Sequence, residues 1–379
     1  MRNLDRPSRK KPIIKILVFA FFLLFLLVGA IKLFNLEELF FRGPSTVVDL
    51  ITDSGLESDR DRINVLLLGI GGAGHEGPNL SDTIIFASID KNGKDVALVS
   101  IPRDLWSPLT SAKINSVYAF GEEKNGEGLQ EIKKAASHLF DVPIHYAIRI
   151  DFDGFVKAVN LVDGVDVEVE TAFDDSRYPI AGREDDLCGL TIETVEMDGV
   201  SQQVVKDATG SATPLSEIND QNDPFVCRYE TISFNQGLVH MDGKTALKFV
   251  RSRHGTNNQG SDFARSARQQ KVILAFRQKV LSAETLLNPK TVLDLARTFG
   301  ESIDTDITDE EVPYFAKLAQ KIDPGKIRRV VLDSGRDESV LAIGDPQFHG
   351  GQFVLVPKSN SWRDLAEYIQ GEIFKLEER

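Results

Sequence analysis

The chain has 379 residues, of which 42% are hydrophobic and 27% charged, proportions typical of a folded protein with a sizeable core. Its formal net charge is −13, although the first 15 residues contain six basic side chains and only one acidic one. The rest of the chain is therefore still more acidic, which argues against nucleic acid as a partner because a phosphate backbone requires a basic face.

Residues 16–31, ILVFAFFLLFLLVGAI, form an unbroken apolar run after this basic cluster. About 20 apolar residues span a bilayer core, and this run reaches that length if Lys15 and Lys32 extend to the interfaces. We predict a cytoplasmic basic tail over residues 1–11, a transmembrane signal anchor over 12–34 and a stalk over 35–60. The basic cluster keeps the N-terminus in the cytoplasm and places the body outside the cell membrane. A cleaved signal peptide is the alternative, but no A-x-A-like site precedes Lys32.

Residues 61–379 are predicted to form one extracytoplasmic domain in which strands and helices alternate. The predicted strands are Ile63–Leu68, Thr83–Ser88, Val96–Ser100, Ile144–Ile150, Val165–Val169 and Arg328–Leu332. The predicted helices are Gly128–Phe140, Phe152–Leu161, Asp242–Val250, Asp262–Leu281, Val292–Phe299, Glu310–Lys321 and Ser361–Phe374. This alternation favours an α/β fold, a layered α-β-α domain with a central mixed sheet.

A glycine-rich loop follows the first predicted strand. Residues 69–74 read GIGGAG and match the G-x-G-x-x-G pattern of dinucleotide-binding turns. Such a turn opens a helix that crosses back to a parallel strand, which needs a dozen or more residues. The eight residues after Gly74, HEGPNLSD, contain a glycine and a proline and lead directly into the next strand. We therefore predict a flexible loop whose backbone can approach a ligand, or a plain tight turn.

Residues 171–235 break the alternation and are rich in Asp, Glu, Ser, Thr and Gly, which we interpret as a long, loop-like insertion over one edge of the sheet. The insertion contains both cysteines, Cys188 and Cys227. Because disulfides persist outside the cytoplasm, we favour a disulfide over two free thiols. No C-x-x-C pair or metal-ligand spacing is present, which excludes zinc and thiol redox chemistry.

Charged side chains flank two predicted strands where open α/β sheets bind ligands. Arg103 and Asp104 come directly after the third strand, Lys113 follows shortly, and Asp82 begins the second strand. A surface ion pair is the ordinary interpretation of Arg103 and Asp104. The nearby Lys113 and Asp82 make a binding site the better interpretation.

A second cluster, in an otherwise acidic chain, is rich in arginine. Four guanidiniums lie within 18 residues: Arg251, Arg253, Arg265 and Arg268. A solvated helix face normally intersperses its charges, whereas here one sign is in excess. Arginine forks bind phosphate oxygens in pairs, so this cluster predicts a pyrophosphate ligand.

The helix that carries part of this cluster also carries polar partners. Three of its residues lie within about 60° of one another on one face: Asp262, Arg265 and Gln269. Arg268 lies to one side of that face. Asp82, with Asp104 or Asp262, could hold a divalent cation such as Mg²⁺ against a pyrophosphate, since Mg²⁺ takes one or two carboxylates together with phosphate oxygens.

Taken together and in this order, the motifs resemble the LytR-CpsA-Psr (LCP) proteins of bacterial envelopes. The resemblance covers roughly residues 61–282 and rests on SDTIIFASID, VALVSIPRDLW, KIN, YAIRIDFDGFVKAVNLVDGVDVEV, MDGKTALKFVRSR and SDFARSARQQKVI. It implies a membrane-anchored phosphotransferase. Such an enzyme moves an anionic glycopolymer from a polyprenyl-pyrophosphate carrier onto peptidoglycan with the help of Mg²⁺.

The resemblance also implies a role for each matching residue. Asp82 would be a metal ligand, and Asp104 and Lys113 would lie close to the pyrophosphate. The residues implied to bind the pyrophosphate are Arg103, Arg251, Arg253, Arg265 and Gln269, to which we add Arg268 from the arginine cluster. Asp104 and Asp262 are the candidate general bases for an incoming hydroxyl, unless they orient an arginine.

The sequence departs from the family pattern at Gly71, where an aspartate is common. One metal ligand is therefore missing, which weakens the expectation of tight Mg²⁺ binding. His75 or Glu76 could compensate, or could simply be solvated loop residues. Two alternatives follow, a non-catalytic envelope protein that binds polyprenyl phosphates for regulation or assembly, and a polyprenyl pyrophosphatase.

Overall fold

The computed structural model describes residues 55–75, 77–197, 200–206, 210–219, 222–286, 288, 291, 294–295, 303–308 and 310–375. The predicted tail, the predicted anchor, most of the predicted stalk and most of the predicted helix Val292–Phe299 lie outside these residues. Within the described ranges, no helix combines the length and the apolar character needed to cross a bilayer.

The strands are β1 (Arg62–Ile70), β2 (Ser81–Asp90), β3 (Val96–Ile101), β4 (Trp106–Ser107), β5 (Ala112–Lys113), β6 (Tyr146–Asp151), β7 (Val165–Val169), β8 (Phe173–Pro179), β9 (Thr191–Met197), β10 (Val200–Lys206), β11 (Ala212–Pro214), β12 (Tyr229–Phe234), β13 (Gly237–Met241), β14 (Ile303–Thr305), β15 (Ile327–Val331), β16 (Leu341–Ile343) and β17 (Leu355–Pro357). The helices are α1 (Ile114–Asn125), α2 (Gly128–Phe140), α3 (Phe152–Leu161), α4 (Gly243–Arg251), α5 (Asp262–Val280), α6 (Ala283–Leu286), α7 (Val312–Lys321) and α8 (Trp362–Phe374).

A six-stranded mixed sheet forms the centre of the fold, in the order β14-β6-β1-β2-β3-β15. The pairs β1–β6 and β3–β15 are parallel, whereas β1–β2, β2–β3 and β6–β14 are antiparallel. The predicted α/β fold with a central mixed sheet is therefore confirmed.

Alternating side chains of β1 enter two different cores, as the period of two in a strand requires. Leu66, Leu68 and Ile70 pack with residues of α1, α2 and α8 on one face of the sheet. Ile63 and Val65 pack with residues of α5 and α7 on the other. The sheet thus lies between two helical layers.

The chain divides into two compact units. The first comprises the described residues up to Val167, His240–Leu247 and the described residues from Ser266 onward, and it contains the six-stranded sheet. The second comprises Glu168–Val239 and Lys248–Arg265.

The second unit is more ordered than the loop-like insertion that the sequence suggested. Strands β8 and β12 pair antiparallel, and β9, β10 and β11 form a three-stranded sheet. Phe173, Phe234 and Phe249 pack together with ring centroids 5.0–6.0 Å apart. The predicted disulfide between Cys188 and Cys227 is confirmed.

Candidate functional site

The candidate site in the first unit lies at one end of the central sheet. Strands β1, β3 and β6 run in the same direction, so their carboxyl ends meet there, together with the beginning of the antiparallel strand β2. This end of an open α/β sheet is where ligands commonly bind. Arg103 and Asp104 follow β3 there, and Asp82 lies at the beginning of β2.

A β-bulge presents Asp82 at this end. Gly69 pairs with Thr83 and Ile70 pairs with Ser81, so Asp82 is the extra residue between two consecutive pairs. A bulged residue is left out of the ladder, and bulges are frequent beside functional sites because they redirect a side chain. The carboxylate of Asp82 is half-buried, with 32% of its side chain exposed.

An alternating chain of charges joins the predicted residues of β2, of the segment after β3 and of β5. Nη1 of Arg103 lies 2.8 Å from Oδ1 of Asp82, and its Nε lies 3.6 Å from Oδ2 of Asp104. Nζ of Lys113 donates a hydrogen bond to Oδ1 of Asp104 at 2.8 Å. The structure therefore brings together the four residues that the sequence placed near the first three strands.

A small hairpin explains how Lys113 reaches Asp104 from nine residues further along the chain. Strands β4 and β5 pair antiparallel, with Trp106 opposite Lys113. The backbone N–H of Ile114 donates to the carbonyl of Leu105 at 2.8 Å, which closes the loop. Lys113 then precedes α1, so its ammonium is held at the beginning of a helix and beside a carboxylate.

Helix α5 contributes a neutral polar contact to the same strand. Nε2 of Gln269 donates a hydrogen bond to Oγ1 of Thr83 at 2.8 Å. A Cβ at Gly69 would lie 3.1 Å from Cβ of Thr83, tighter than most real contacts. The glycine at position 69 thus leaves room for the Thr83–Gln269 pair beside Asp82. Arg268, the neighbour of Gln269, is 3% exposed.

The glycine loop joins β1 to its antiparallel neighbour β2, a connection unlike the parallel crossover of a dinucleotide-binding turn. A Cβ at Gly71 would lie only 2.9 Å from Cβ of His75, so any side chain there would displace His75. Gly72 adopts a φ of +82°, and a Cβ there would lie 2.9 Å from Cβ of Asp151. The loop is therefore folded closely against its neighbours.

Two residues that the sequence offered as substitute metal ligands are placed differently. The ring of His75 packs edge-on against Phe152, with centroids 5.4 Å apart. Glu76 lies outside the described residues. Asp151, which the sequence reasoning missed, ends β6 beside the glycine loop. Its Oδ1 accepts a hydrogen bond from the backbone of Gly154 and so caps α3, and its Oδ2 lies 3.7 Å from Nη1 of Arg149.

The second unit holds the remaining predicted residues. Nη2 of Arg265 lies 2.6 Å from Oδ1 of Asp262, so these two residues share a helix face as predicted. Arg265 is 9% exposed. The guanidinium of Arg251 lies 5.9 Å from the ring centroid of Tyr178.

A buried carboxylate that the sequence did not reveal holds the segment containing Arg251 and Arg253. Asp175 is fully buried, and its Oδ2 accepts hydrogen bonds from the hydroxyl of Ser252 at 2.7 Å and from the backbone N–H groups of Arg253 and His254, both at 3.1 Å. Its Oδ1 accepts from the backbone of Arg177 at 2.9 Å. Asp175 therefore fixes the chain between the two arginines.

The described residues fit a divalent cation only in part. Their one cluster of three potential ligands is Asp186, Cys188 and Cys227, and the disulfide removes both thiolates. At the sheet end, position 71 offers no carboxylate and Asp82 already has Arg103 as a partner. These residues suit a cation held mainly by the phosphate oxygens of a ligand, with Asp82 as its protein ligand, better than a permanently bound ion.

The model of the LytR_cpsA_psr family matches residues 43–341. The chain belongs to this family. It is 26% identical over 259 residues to a polyisoprenyl-teichoic acid–peptidoglycan teichoic acid transferase TagU of Oceanobacillus iheyensis, a match covering 66% of this chain and 61% of that relative. It is 24% identical over 251 residues to TagV of Bacillus subtilis, a transferase of the same name, covering 64% of this chain and 49% of the relative. The chain thus spans about half to three fifths of the length of these two relatives.

A solved structure of a family protein supports the fold. The crystal structure of B. subtilis TagV shares 20% sequence identity with this chain and superimposes with a TM-score of 0.52, covering 84% of this chain and all of that one. This likeness agrees with the α/β architecture built on a central mixed sheet. The family assignment made from the sequence motifs is confirmed by the family model.

Proposed function

We propose that the protein is a membrane-anchored phosphotransferase that moves an anionic glycopolymer from a polyprenyl-pyrophosphate carrier onto peptidoglycan. The names of the relatives support the reaction class. The observation that carries the proposal is the chain of charges Asp82–Arg103–Asp104–Lys113 at the carboxyl ends of β1 and β3. It supplies cations for phosphate oxygens and a carboxylate that could accept a proton.

In this reaction an acceptor hydroxyl attacks the phosphorus next to the sugar, and polyprenyl phosphate leaves. The protein's task is to position the reactants and to neutralise charge that builds up on the phosphoryl oxygens. Arg103 and Lys113 are the cations for this task in the first unit. Asp104 is the candidate base for the acceptor proton, and Asp262 in the second unit is the other candidate.

We also propose that five other side chains bind the pyrophosphate. These side chains are Arg251, Arg253 and Arg265 of the second unit and Arg268 and Gln269 of the first. A divalent cation, Mg²⁺ or another, would be held by Asp82 and would supply additional positive charge for the phosphate oxygens. The single-pass anchor, with a cytoplasmic N-terminus and an extracytoplasmic body at the cell membrane, completes the proposal.

The test is a transfer assay with purified protein, a polyprenyl-pyrophosphate-linked glycopolymer and peptidoglycan. Arg103→Ala should lower the turnover rate by about 10²–10³, the usual cost of removing one preorganised group that stabilises transition-state charge. Arg363→Ala is the matched control, because Arg363 is exposed on α8 and forms an ion pair with Glu367 on the same helix. Equal rates for the two variants would exclude Arg103 from the reaction and remove the main support for the proposal.

Gly71 favours a second candidate, a non-catalytic protein that binds polyprenyl phosphates, because the family's usual aspartate is missing there. The same assay separates the candidates. If Arg103→Ala abolishes carrier binding while the wild-type protein transfers no polymer, the protein is a binding protein. If wild-type protein cleaves the pyrophosphate with water in place of the acceptor, yielding polyprenyl phosphate and a phosphorylated glycopolymer, it is a pyrophosphatase.

A further inference from the structure

A loop near the C-terminus is attached to the Arg103–Asp104 segment and presents aromatic rings to solvent. It covers residues 345–353, DPQFHGGQF, and connects β16 to β17. Phe348 is 80% exposed and Phe353 is 52% exposed. Large apolar side chains exposed close together commonly mark a binding surface. We call this segment the aromatic loop.

Backbone and ring contacts hold the aromatic loop against the candidate site. The N–H of Leu355 donates to the carbonyl of Asp104 at 2.9 Å, and Leu105 forms a parallel bridge with Leu355. The ring of His349 packs edge-on against Trp106, with centroids 4.7 Å apart. A molecule bound on the aromatic loop is therefore bound next to the chain that carries Arg103 and Asp104.

Local hydrogen bonds fix the backbone of the aromatic loop, so its exposed rings are held in defined positions. Nδ1 of His349 is 2.7 Å from the carbonyl oxygen of Asp345, and the N–H of Gly351 donates to the carbonyl of Pro346 at 2.9 Å. The buried Gly344 pairs with Val354 at the base of the loop, where its N–H donates to the carbonyl at 2.9 Å. Phe348 immediately precedes the anchored His349 and points away from the core at 80% exposure.

The composition of the loop indicates which occupant it suits. Residues 341–353 contain one acidic residue and no lysine or arginine. An anionic bilayer or an anionic glycopolymer would therefore find no charge partner there. The exposed rings alternate with the exposed amides of Gln347 and Gln352. Rings that cover the C–H faces of a sugar, beside amides that bond its hydroxyls, suit an uncharged glycan strand.

We infer that the aromatic loop binds the glycan strand of the peptidoglycan acceptor and holds it beside Asp104. The inference rests on the proposed function, since it assigns the acceptor of that reaction to this surface. The acceptor hydroxyl then approaches from the side of the sheet end on which Trp106 and His349 lie. Phe348 and Phe353 act as binding residues and take no part in the transfer itself.

The test uses co-sedimentation of the full-length protein with peptidoglycan sacculi stripped of attached polymers. The double variant Phe348→Ala/Phe353→Ala should bind sacculi about tenfold more weakly than wild type, a loss of ~1.4 kcal/mol. Phe348→Tyr/Phe353→Tyr should restore binding, because it keeps both rings. Phe120→Ala on α1 is the control, since Phe120 is 54% exposed and lies outside the loop.

Two further measurements separate this inference from the proposed function and from membrane binding. Binding of a polyprenyl pyrophosphate should be lost in Arg103→Ala and unchanged in the double alanine variant. If Arg103→Ala transfers polymer at the wild-type rate, the proposed function fails independently of the sacculus result. The inference is overturned if wild-type protein does not bind sacculi, if the double variant binds them as wild type does, or if the double variant loses binding to phosphatidylglycerol vesicles instead.

Discussion

Replacing Asp175 by asparagine tests whether one buried carboxylate holds the arginine segment in place. Asparagine keeps the shape of aspartate but converts one carboxylate oxygen into an amide NH₂ group. Asp175 accepts four hydrogen bonds, from the Ser252 hydroxyl and from the backbone N–H groups of Arg177, Arg253 and His254. Whichever way the amide is turned, its NH₂ group must face at least one of these donors.

The pKa of Asp175 shows which form of the side chain the fold requires. Burial alone would raise the pKa of this carboxyl, but hydrogen bonds from Ser252 and from the three backbone N–H groups outweigh burial and lower it. A carboxyl whose pKa is lower in the folded than in the unfolded chain stabilises the fold above its unfolded pKa, about 3.9. That contribution disappears as the pH falls through the lower folded pKa. The stability difference between wild type and Asp175→Asn should therefore be largest near neutral pH and should shrink below about pH 4.

The size of the effect follows from the bonds that are lost. A hydrogen bond to a charged acceptor contributes roughly 1.5–3 kcal/mol, and an unsatisfied buried donor costs about as much. Because the four bonds share one carboxylate, their contributions do not add, and we expect a loss of about 3 kcal/mol. A loss of that size should make local opening, and the exchange of the amide hydrogens of Arg253 and His254, roughly a hundredfold faster.

Hydrogen–deuterium exchange of the peptide spanning residues 249–256, followed at pH 7, measures this opening directly. Tryptophan fluorescence is unsuited, because the two tryptophans, Trp106 and Trp362, both lie in the first unit. Asp174→Asn is the matched control, since Asp174 is the exposed neighbour on β8 and its loss should cost less than ~0.5 kcal/mol. Indistinguishable exchange in the two variants would refute the assignment of Asp175 as a positioning residue.

Two other substitutions test the second unit and the charged end of the sheet. Cys188→Ser/Cys227→Ser opens a loop with a sequence separation of 39 residues and should lower the free energy of unfolding of the second unit by up to ~4 kcal/mol. Urea denaturation followed by circular dichroism would measure this loss, and a reductant should reproduce it in the wild-type protein. An unchanged denaturation midpoint would contradict the prediction. Asp82→Asn removes the carboxylate charge that lies 2.8 Å from Arg103. It should raise the Mg²⁺ concentration needed for half-maximal transfer by about tenfold, equivalent to ~1.4 kcal/mol. Superimposable Mg²⁺ titrations of the wild-type protein and the variant would show that Asp82 does not hold the cation.

Elements with a strong hydrophobic pattern were predictable from the sequence. Helices α2 and α3 have the bounds that the spacing of apolar residues predicted, and five of the six strands of the central sheet differ from the predicted strands by only a few residues at their ends. The sixth, the three-residue edge strand β14, was not predicted. Helix α1 was missed, although Ile114, Val117 and Tyr118 have helical spacing and are all buried. Its polar and glycine-containing second half, FGEEKN, weakens the pattern because glycine and asparagine disfavour helix.

The strands of the insertion could not be predicted in the same way. β9 pairs with β10 along seven residues, but its side chains are mostly exposed, so no alternation of apolar and polar residues marks it. What defines such a strand is its partner, and pairing between distant segments leaves little local signal. The disulfide was predictable because only one pair of cysteines exists.

In the candidate site, too, residues near one another in the sequence were easier to predict than contacts between distant segments. Asp82, Arg103, Asp104 and Lys113 could be brought together from the sequence because Asp82 begins the second predicted strand and the other three follow the third. Asp175 could not, because three of its four hydrogen-bond partners lie 77–79 residues away and two of those three are backbone N–H groups, which no residue pattern encodes.

Asp175 changes the interpretation of the insertion. A polar insertion could have been a separate appendage that only shapes the approach of the acceptor. Residues 171–235 instead supply the carboxylate that organises Ser252, Arg253 and His254, so the insertion belongs to the framework of the arginine segment. Deleting only its outer part, β9 to β11, should therefore leave residues 252–254 protected from hydrogen exchange. Deleting β8 as well should expose them, because Asp175 is lost with it.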